Sequence, residues 1–258
     1  MAMMDPAPLF TGVGVALVTL FDEDGGLDAK ATAAHAAALV ELGVRAVVVA
    51  GTTGEASALT PAERSALLSE VRATVSEVPV LAGTGAAWGP HAAELTARAR
   101  DGGADGALVL APPRVADPRP YYEQVAAAAQ GLPVLAYHFP AVAPPGIPIE
   151  TLPDLPVAGL KDSTGDPDRL LEELAVFGGP LYVGSSGLLA LAGPLGCTGA
   201  ILALANAEPE CCAAAFAGDA EAQRALGPAH LKARSAFPQG IKRLTTDRFG
   251  ASPSARLG

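Results

Sequence analysis

Cysteine is scarce in this chain. The three that occur, Cys197, Cys211 and Cys212, form an odd set in apolar surroundings with no zinc-type spacing. Such a set predicts reduced core thiols, with no disulfide and no metal. Charge is also thin, at 17% of residues against roughly 25% in an average soluble domain. Much surface must therefore be buried inside the chain or between copies of it, and a homo-oligomer is expected. Basic residues are the minority: 17 Lys and Arg face 27 Asp and Glu, a net charge of −10, which disfavours nucleic acid and anionic membrane as partners. The amino-terminal segment, with Asp5 and Pro6, lacks a basic region and a continuous apolar run. It does not read as a signal peptide, and the cytoplasm is the default location. One long uncharged stretch exists, Pro180 to Ala207, but Gly184, Gly187, Gly193, Pro194, Gly196 and Gly199 interrupt it. Buried strands and turns account for it better than a membrane span.

What the chain has is alternation. Short apolar runs suited to strands fall at Val13 to Thr19, Ala46 to Ala50, Val80 to Gly83, Gly106 to Leu110, Val134 to Tyr137, Val157 to Lys161, Leu181 to Gly184 and Ala200 to Leu204. Ala- and Leu-rich helical segments separate them, at Asp28 to Leu42, Pro61 to Val75, His91 to Asp101, Arg119 to Ala129, Asp166 to Val176 and Pro209 to Ala217, with short connections after strands five and seven. Thr60, Pro61 and Glu63 carry the signature of a capped helix start. Runs apolar at every position mean burial on both faces, as a parallel sheet requires. Eight βα units in a chain of 258 residues fit one α/β fold, a (β/α)8 TIM barrel. The barrel is expected over residues 1–218, and 219–258 should form a helical extension packed on it, with helices at Ala220 to Ala236 and Ile241 to Phe249.

Barrel chemistry sits where strands end, so polar residues just after an apolar run are the candidates. Strand two runs into Gly51-Thr52-Thr53-Gly54-Glu55, where two hydroxyls and glycine-flanked N–H groups could converge on a carboxylate or simply make a strand-to-helix turn. Strand five ends at Tyr137 and His138. Neighbouring strand residues face opposite ways, so an inward Tyr137 able to relay a proton leaves His138 as a packing residue. Strand six ends at Lys161. A lysine closing a buried strand either snorkels to the rim or loses enough hydration to become a neutral, carbonyl-attacking amine.

These segments together resemble the dihydrodipicolinate synthase and N-acetylneuraminate lyase superfamily. The resemblance runs in order through Gly14-Val15-Ala16-Leu17-Val18-Thr19, Asp24-Gly25-Gly26-Leu27-Asp28, Gly51 to Glu55 before Leu59-Thr60, Tyr137-His138-Phe139-Pro140, Gly159 to Asp166, Val183-Gly184-Ser185 and Gly199-Ala200-Ile201. It implies a class I aldolase or lyase in which Lys161 forms a Schiff base with a 2-oxo acid and Tyr137 moves protons. Thr52 and Thr53 would hold the substrate carboxylate, and Gly184 and Ile201 would shape the pyruvoyl site. It also implies no cofactor, no metal, and a dimer or tetramer.

Two places depart from the pattern. Pro112-Pro113 is followed by Arg114 and Val115, where the family often has two tyrosines. Ala141-Val142-Ala143-Pro144-Pro145-Gly146 stands where dihydrodipicolinate synthase has an arginine for the carboxylate of its second substrate. Imine formation needs neither lost group, so a retro-aldolase for a 2-oxo-3-deoxy sugar acid is expected ahead of dihydrodipicolinate synthase itself. A carboxylate-binding relative of weak activity is the reading from another class. Gly184-Ser185-Ser186-Gly187 lies where barrels often bind phosphate, which leaves a phosphorylated substrate open.

Overall fold

The computed structural model describes residues 7–257, so the reading of Asp5 and Pro6 and the outermost ends of the expected domains lie outside it. Eight parallel strands close a barrel in chain order: β1 (Gly12–Ala16), β2 (Val47–Val49), β3 (Val80–Gly83), β4 (Gly106–Leu110), β5 (Val134–His138), β6 (Gly159–Asp162), β7 (Leu181–Val183) and β8 (Gly199–Leu202). The helices are α1 (Ala29–Glu41), α2 (Pro61–Thr74), α3 (Gly89–Asp101), α4 (Arg119–Ala129), α5 (Pro167–Val176), the single turn α6 (Leu189–Ala192), α7 (Pro209–Phe216), α8 (Ala220–Ala225), α9 (Gly227–Ser235) and α10 (Gln239–Phe249). After β5 the connection carries only a 3-10 turn, Ile149–Asp154.

Period-two alternation divides the core into two layers. Ala46, Val48, Leu81, Leu108, Leu135, Tyr137, Tyr182 and Ile201 pack together inside the barrel. Val47, Val49, Val134, Ala136 and Leu160 face the surrounding helices. Phe10 stacks on Tyr182 with ring centroids 4.7 Å apart, and the Tyr182 hydroxyl donates to Phe10 O at 3.0 Å. This pair fills the barrel beneath the mouth, so the inward residues near the strand ends above it are free to be polar.

Local chemistry explains where elements stop. The strand expected over Val13 to Thr19 ends at Ala16 because side chains take over the later N–H groups. Val18 N donates to Asn206 Oδ1 and Leu20 N to Thr32 Oγ1, each at 3.0 Å. The α2 start forms a capping box: Thr60 Oγ1 accepts from Glu63 N at 3.2 Å, and Glu63 Oε2 accepts from Thr60 N at 2.8 Å. The single helix expected over Ala220 to Ala236 is instead two, α8 and α9, breaking at Leu226. Pro228 lacks an N–H and clashes with a preceding helical carbonyl, so it opens a new helix rather than continuing the old one. Helices α9 and α10 then lie over the C-terminal end of the barrel, where Ala233 and Ile241 join the outer core. Cys197, Cys211 and Cys212 are all free thiols, and two of them are buried. No helix among the described residues is long and apolar enough to cross a membrane.

Candidate active site

Strand register creates the central pair. Tyr137 of β5 is directly opposite Lys161 of β6, and Lys161 is in turn opposite Tyr182 of β7. Residues opposite one another on adjacent strands share a face, so the lysine and tyrosine both point into the mouth. The Lys161 amine stands 4.2 Å from the Tyr137 ring centroid. Their successors, His138 and Asp162, are also paired and turn outward. His138 Nδ1 accepts the Ile147 N–H at 2.8 Å, so this histidine pins the chain after β5, as its expected packing role requires. Asp162 accepts from Thr164 N at 2.9 Å and Thr164 Oγ1 at 2.5 Å, while Ser163 N donates to His138 O at 2.9 Å. That knot puts Ser163 on the cavity side, between Lys161 and Gly184.

The cavity has a volume of about 320 Å³ and is lined by Thr52, Thr53, Tyr137, Lys161 and Gly184, five of the six residues singled out from sequence. The sixth, Ile201, is fully buried in the barrel interior and is not on the cavity wall. The residues just after its strand, Ala203 and Leu204, line the cavity instead. A Cβ on Gly184 would stand 2.8 Å from Lys161 Cε and collide with Ser163 Oγ. The bare backbone there leaves room for the lysine tip.

Burial sets the electrostatics. Lys161 is 4% exposed, and loss of hydration lowers its pKa to about 7, against a weaker opposing pull from the Asp162 carboxylate. A large fraction of the amine is therefore neutral at neutral pH. Burial moves the Tyr137 phenol upward, and the neighbouring hydroxyls of Ser163 and Thr52 partly offset that rise by favouring the ionised oxygen. A buried phenol beside two hydroxyls can give up a proton and take it back.

The Dihydrodipicolinate synthetase family model matches residues 9–232. The chain belongs to that family. An uncharacterized DapA-like lyase of Halobacterium salinarum is 36% identical over 251 residues, covering 92% of this chain and 82% of the relative. A 4-hydroxy-tetrahydrodipicolinate synthase of Natronomonas pharaonis is 35% identical over 78% of this chain and 72% of its own length. Among solved structures, YagE, an Escherichia coli K12 prophage protein of the dihydrodipicolinic acid synthase family in complex with pyruvate, superposes with a TM-score of 0.87 at 28% identity, over 96% of this chain and 92% of its own. The chloride-inhibited dihydrodipicolinate synthase of Acinetobacter baumannii, also complexed with pyruvate, gives 0.84 at 29% identity, over 96% and 94%. The chain is thus a class I Schiff-base aldolase or lyase on a (β/α)8 barrel.

This family member also has site features that the sequence alone did not mark. Helix α9 brings His230, Ala233 and Arg234 to the cavity wall, joined by Phe237 just beyond it, and they face Ser186 of the Gly184 to Gly187 segment already marked as a possible phosphate site. Ser186 Oγ and His230 Nδ1 are 2.8 Å apart. The three residues at 230, 233 and 234 follow the i, i+3, i+4 spacing of one helix face, and Phe237 would continue it one turn on but lies past the helix end. That periodicity was the available signal, but a face mixing charge with apolar groups reads as an ordinary surface helix until the tail is known to cross the mouth. Arg114, which follows Pro112-Pro113, is not among the residues lining the cavity. Its N–H donates to Pro144 O at 2.6 Å.

Proposed function

We propose that Lys161 is the Schiff-base nucleophile, that pyruvate or the pyruvoyl end of a longer 2-oxo acid is its partner, and that the physiological reaction is reversible aldol cleavage of a hydroxylated 2-oxo acid. The observation carrying this is the buried Lys161 amine, with a pKa near 7 and Tyr137 against it in a closed-bottomed cavity. The two pyruvate complexes among similar structures support the choice of oxo acid.

The neutral amine attacks the ketone carbon, and the carbinolamine hydroxyl leaves as water with a proton from Tyr137. The resulting iminium withdraws the C3–C4 bonding electrons while the Tyr137 phenolate takes the proton of the C4 hydroxyl, releasing an aldehyde and leaving an enamine. Protonation at C3 and hydrolysis return pyruvate and the free lysine. Thr52 and Thr53 hold the carboxylate through hydroxyl and backbone donors, fixed dipoles that need no reorganisation during the reaction. Gly184 leaves space for the iminium, and Ile201 backs it from below.

The aldehyde end would lie toward Phe139, Pro140 and Ala141, where no cation follows β5, and toward Ser186, His230 and Arg234 on the other side. A hydroxylated aldehyde suits these groups. Arg234 also favours a second reading, dihydrodipicolinate synthase, since it offers a cation from another element to the carboxylate of aspartate semialdehyde. Exposed Trp88, Val142 and Phe237, together with the low charge content, support a homo-oligomer, and three free thiols suit the cytoplasm.

Borohydride reduction in the presence of pyruvate, followed by peptide mass spectrometry, tests the mechanism. The reduced adduct should appear on Lys161 and be absent from Lys161→Ala, while Tyr137→Phe should turn over about 10² to 10⁴ times more slowly, the range for a lost acid–base group. An adduct on another lysine, or none, overturns the assignment. An aldehyde panel including aspartate semialdehyde then separates the two readings.

A further inference from the structure

Both ends of the loop that follows β2 hold strained backbone. Ala50 has φ 51° and Glu55 has φ 55°, left-handed conformations that L side chains avoid and that glycine or asparagine adopts more easily. A glutamate at such a corner is a poor choice for the turn itself, so its carboxylate must supply something the turn needs.

Glu55 is fully buried, and every partner of its carboxylate comes from the far end of the chain. Its Oε2 accepts two backbone N–H groups, from Arg256 at 2.8 Å and Leu257 at 2.7 Å. Its Oε1 is 2.5 Å from the amine of Lys242, which is also fully buried. Lys242 donates in addition to Ser254 O at 2.6 Å, and Ser252 Oγ donates to Phe21 O at 2.7 Å. The guanidinium of Arg256 locks the segment down: Nε donates to Gly25 O and Nη1 to Ala58 O, both at 2.8 Å, and Nη2 to Glu63 Oε1 at 2.6 Å. Lys242 and Arg256 each stand 4.4 Å from the ring centroid of Phe21. Residues 252–257 are thus a strap fastened at several points, and the carboxylate of Glu55 is the buckle.

The loop end that this strap grips lies two residues beyond Thr53. Glu55 N closes the turn on Thr52 O at 3.1 Å, Ala56 N reaches back to Gly51 O at 3.2 Å, and Gly54 O accepts from Thr19 Oγ1 at 2.7 Å. A shift of Glu55 therefore moves the two threonines directly. A buried ion pair adds little net stability compared with apolar residues of like size, so stability alone gives no reason for this one, whereas fixing a strained loop does.

We propose that Glu55, fastened by Lys242 and by the backbone of residues 256–257, is a positioning residue that holds the Thr52–Thr53 loop in the shape that accepts the substrate carboxylate. This rests on the reading of Thr52 and Thr53 as carboxylate ligands. The strap touches neither Lys161 nor the aldehyde end of the cavity, so its effect falls on binding of the oxo acid.

The test uses the full chain. Arg256→Gln loosens the strap at its outer end, where the barrel core is untouched. Glu55→Gln with Lys242→Met removes the buried pair together, leaving no unpaired charge behind. Steady-state kinetics in the condensation direction should show the pyruvate half-saturation concentration rising about tenfold, the size of one weakened charge-assisted contact. Turnover at saturating pyruvate and half-saturation by the aldehyde should stay within about threefold of the parent, as removal of uniform binding predicts. Circular dichroism melting confirms that each variant is folded, and Arg256→Gln decides the matter if the double variant is not. An unchanged pyruvate half-saturation in folded Arg256→Gln overturns the proposal. Thr53→Val is the control: if it raises the pyruvate requirement and Arg256→Gln does not, the strap inference fails alone. If Thr53→Val also leaves it unchanged, the carboxylate-loop reading fails and takes the strap with it.

Discussion

The burial that suits Lys161 to the proposed nucleophilic role also burdens the fold. The amine keeps a pKa of about 7 inside the barrel against 10.5 in the open chain, because burial removes water from the ammonium. The unfolded state therefore binds the proton more tightly. The penalty is complete below pH 7, where both states are protonated, and it shrinks as pH rises and the folded amine alone gives up its proton. Lys161→Met, similar in length and without charge, should melt higher than the parent by several degrees at pH 7, following the usual conversion of a few kcal/mol in a chain of this size. The gap should narrow by pH 9. Calorimetry at the two pH values checks this, and a variant that melts lower at pH 7 would contradict the low pKa. The same pKa predicts that kcat/KM for imine formation climbs with pH toward a plateau above about 7.

At the scale of elements, legibility followed burial on both faces. Apolar runs such as Val80–Gly83 and Gly106–Leu110 matched their strands end to end, because nothing but a buried parallel strand accommodates such a run between turns. Strand ends were less legible where side chains capture the backbone, as Asn206 and Thr32 do after β1. The register of β5 on β6, which makes Tyr137 and Lys161 neighbours, was accessible only as parity: each residue could be assigned a face, but the pairing depends on the stagger of the closed barrel. The part helix α9 plays in the cavity wall was the largest omission. Its wall of His230, Ala233 and Arg234, with Phe237 following, is some 70 residues from Lys161 in sequence, and no local rule connects them. Because Arg234 makes no ion pair among the described residues and lines the cavity where the aldehyde is proposed to lie, Arg234→Met should raise the half-saturation concentration for an anionic aldehyde by about tenfold or more, the scale of a lost charged contact. A neutral hydroxyaldehyde should be affected far less. Parallel kinetics with glyceraldehyde and an anionic analogue measure the difference, and equal effects on both would remove Arg234 from substrate recognition.

For the molecule as a whole, the buried titratable groups make stability depend on pH in a way that net charge does not predict. His35 and His138 both have pKa values lowered to about 4 by burial, from 6.5 in the open chain. Between pH 6.5 and 4 the unfolded chain binds two protons that the folded chain refuses, so each loses stability for the fold as pH falls through that window. Glu173 acts in the opposite sense. Buried against Arg169, with its carboxyl raised to about 7 from 4.5, it holds a proton that the unfolded chain has already released. Its contribution to stability thus declines as pH rises from 4.5 to 7. Two protons outweigh one, so the melting temperature should rise from pH 4.5 to 6.5 despite the glutamate. Glu173→Gln keeps the size of the side chain and removes its titration, so the rise across the same interval should become steeper than in the parent. His138→Asn should flatten it, with the Ile147 N–H still offered an acceptor. Melting curves of the three proteins at pH 4.5, 5.5 and 6.5 order them. A parent whose melting temperature falls over this interval would show that Glu173, rather than the two histidines, governs how stability varies with pH there.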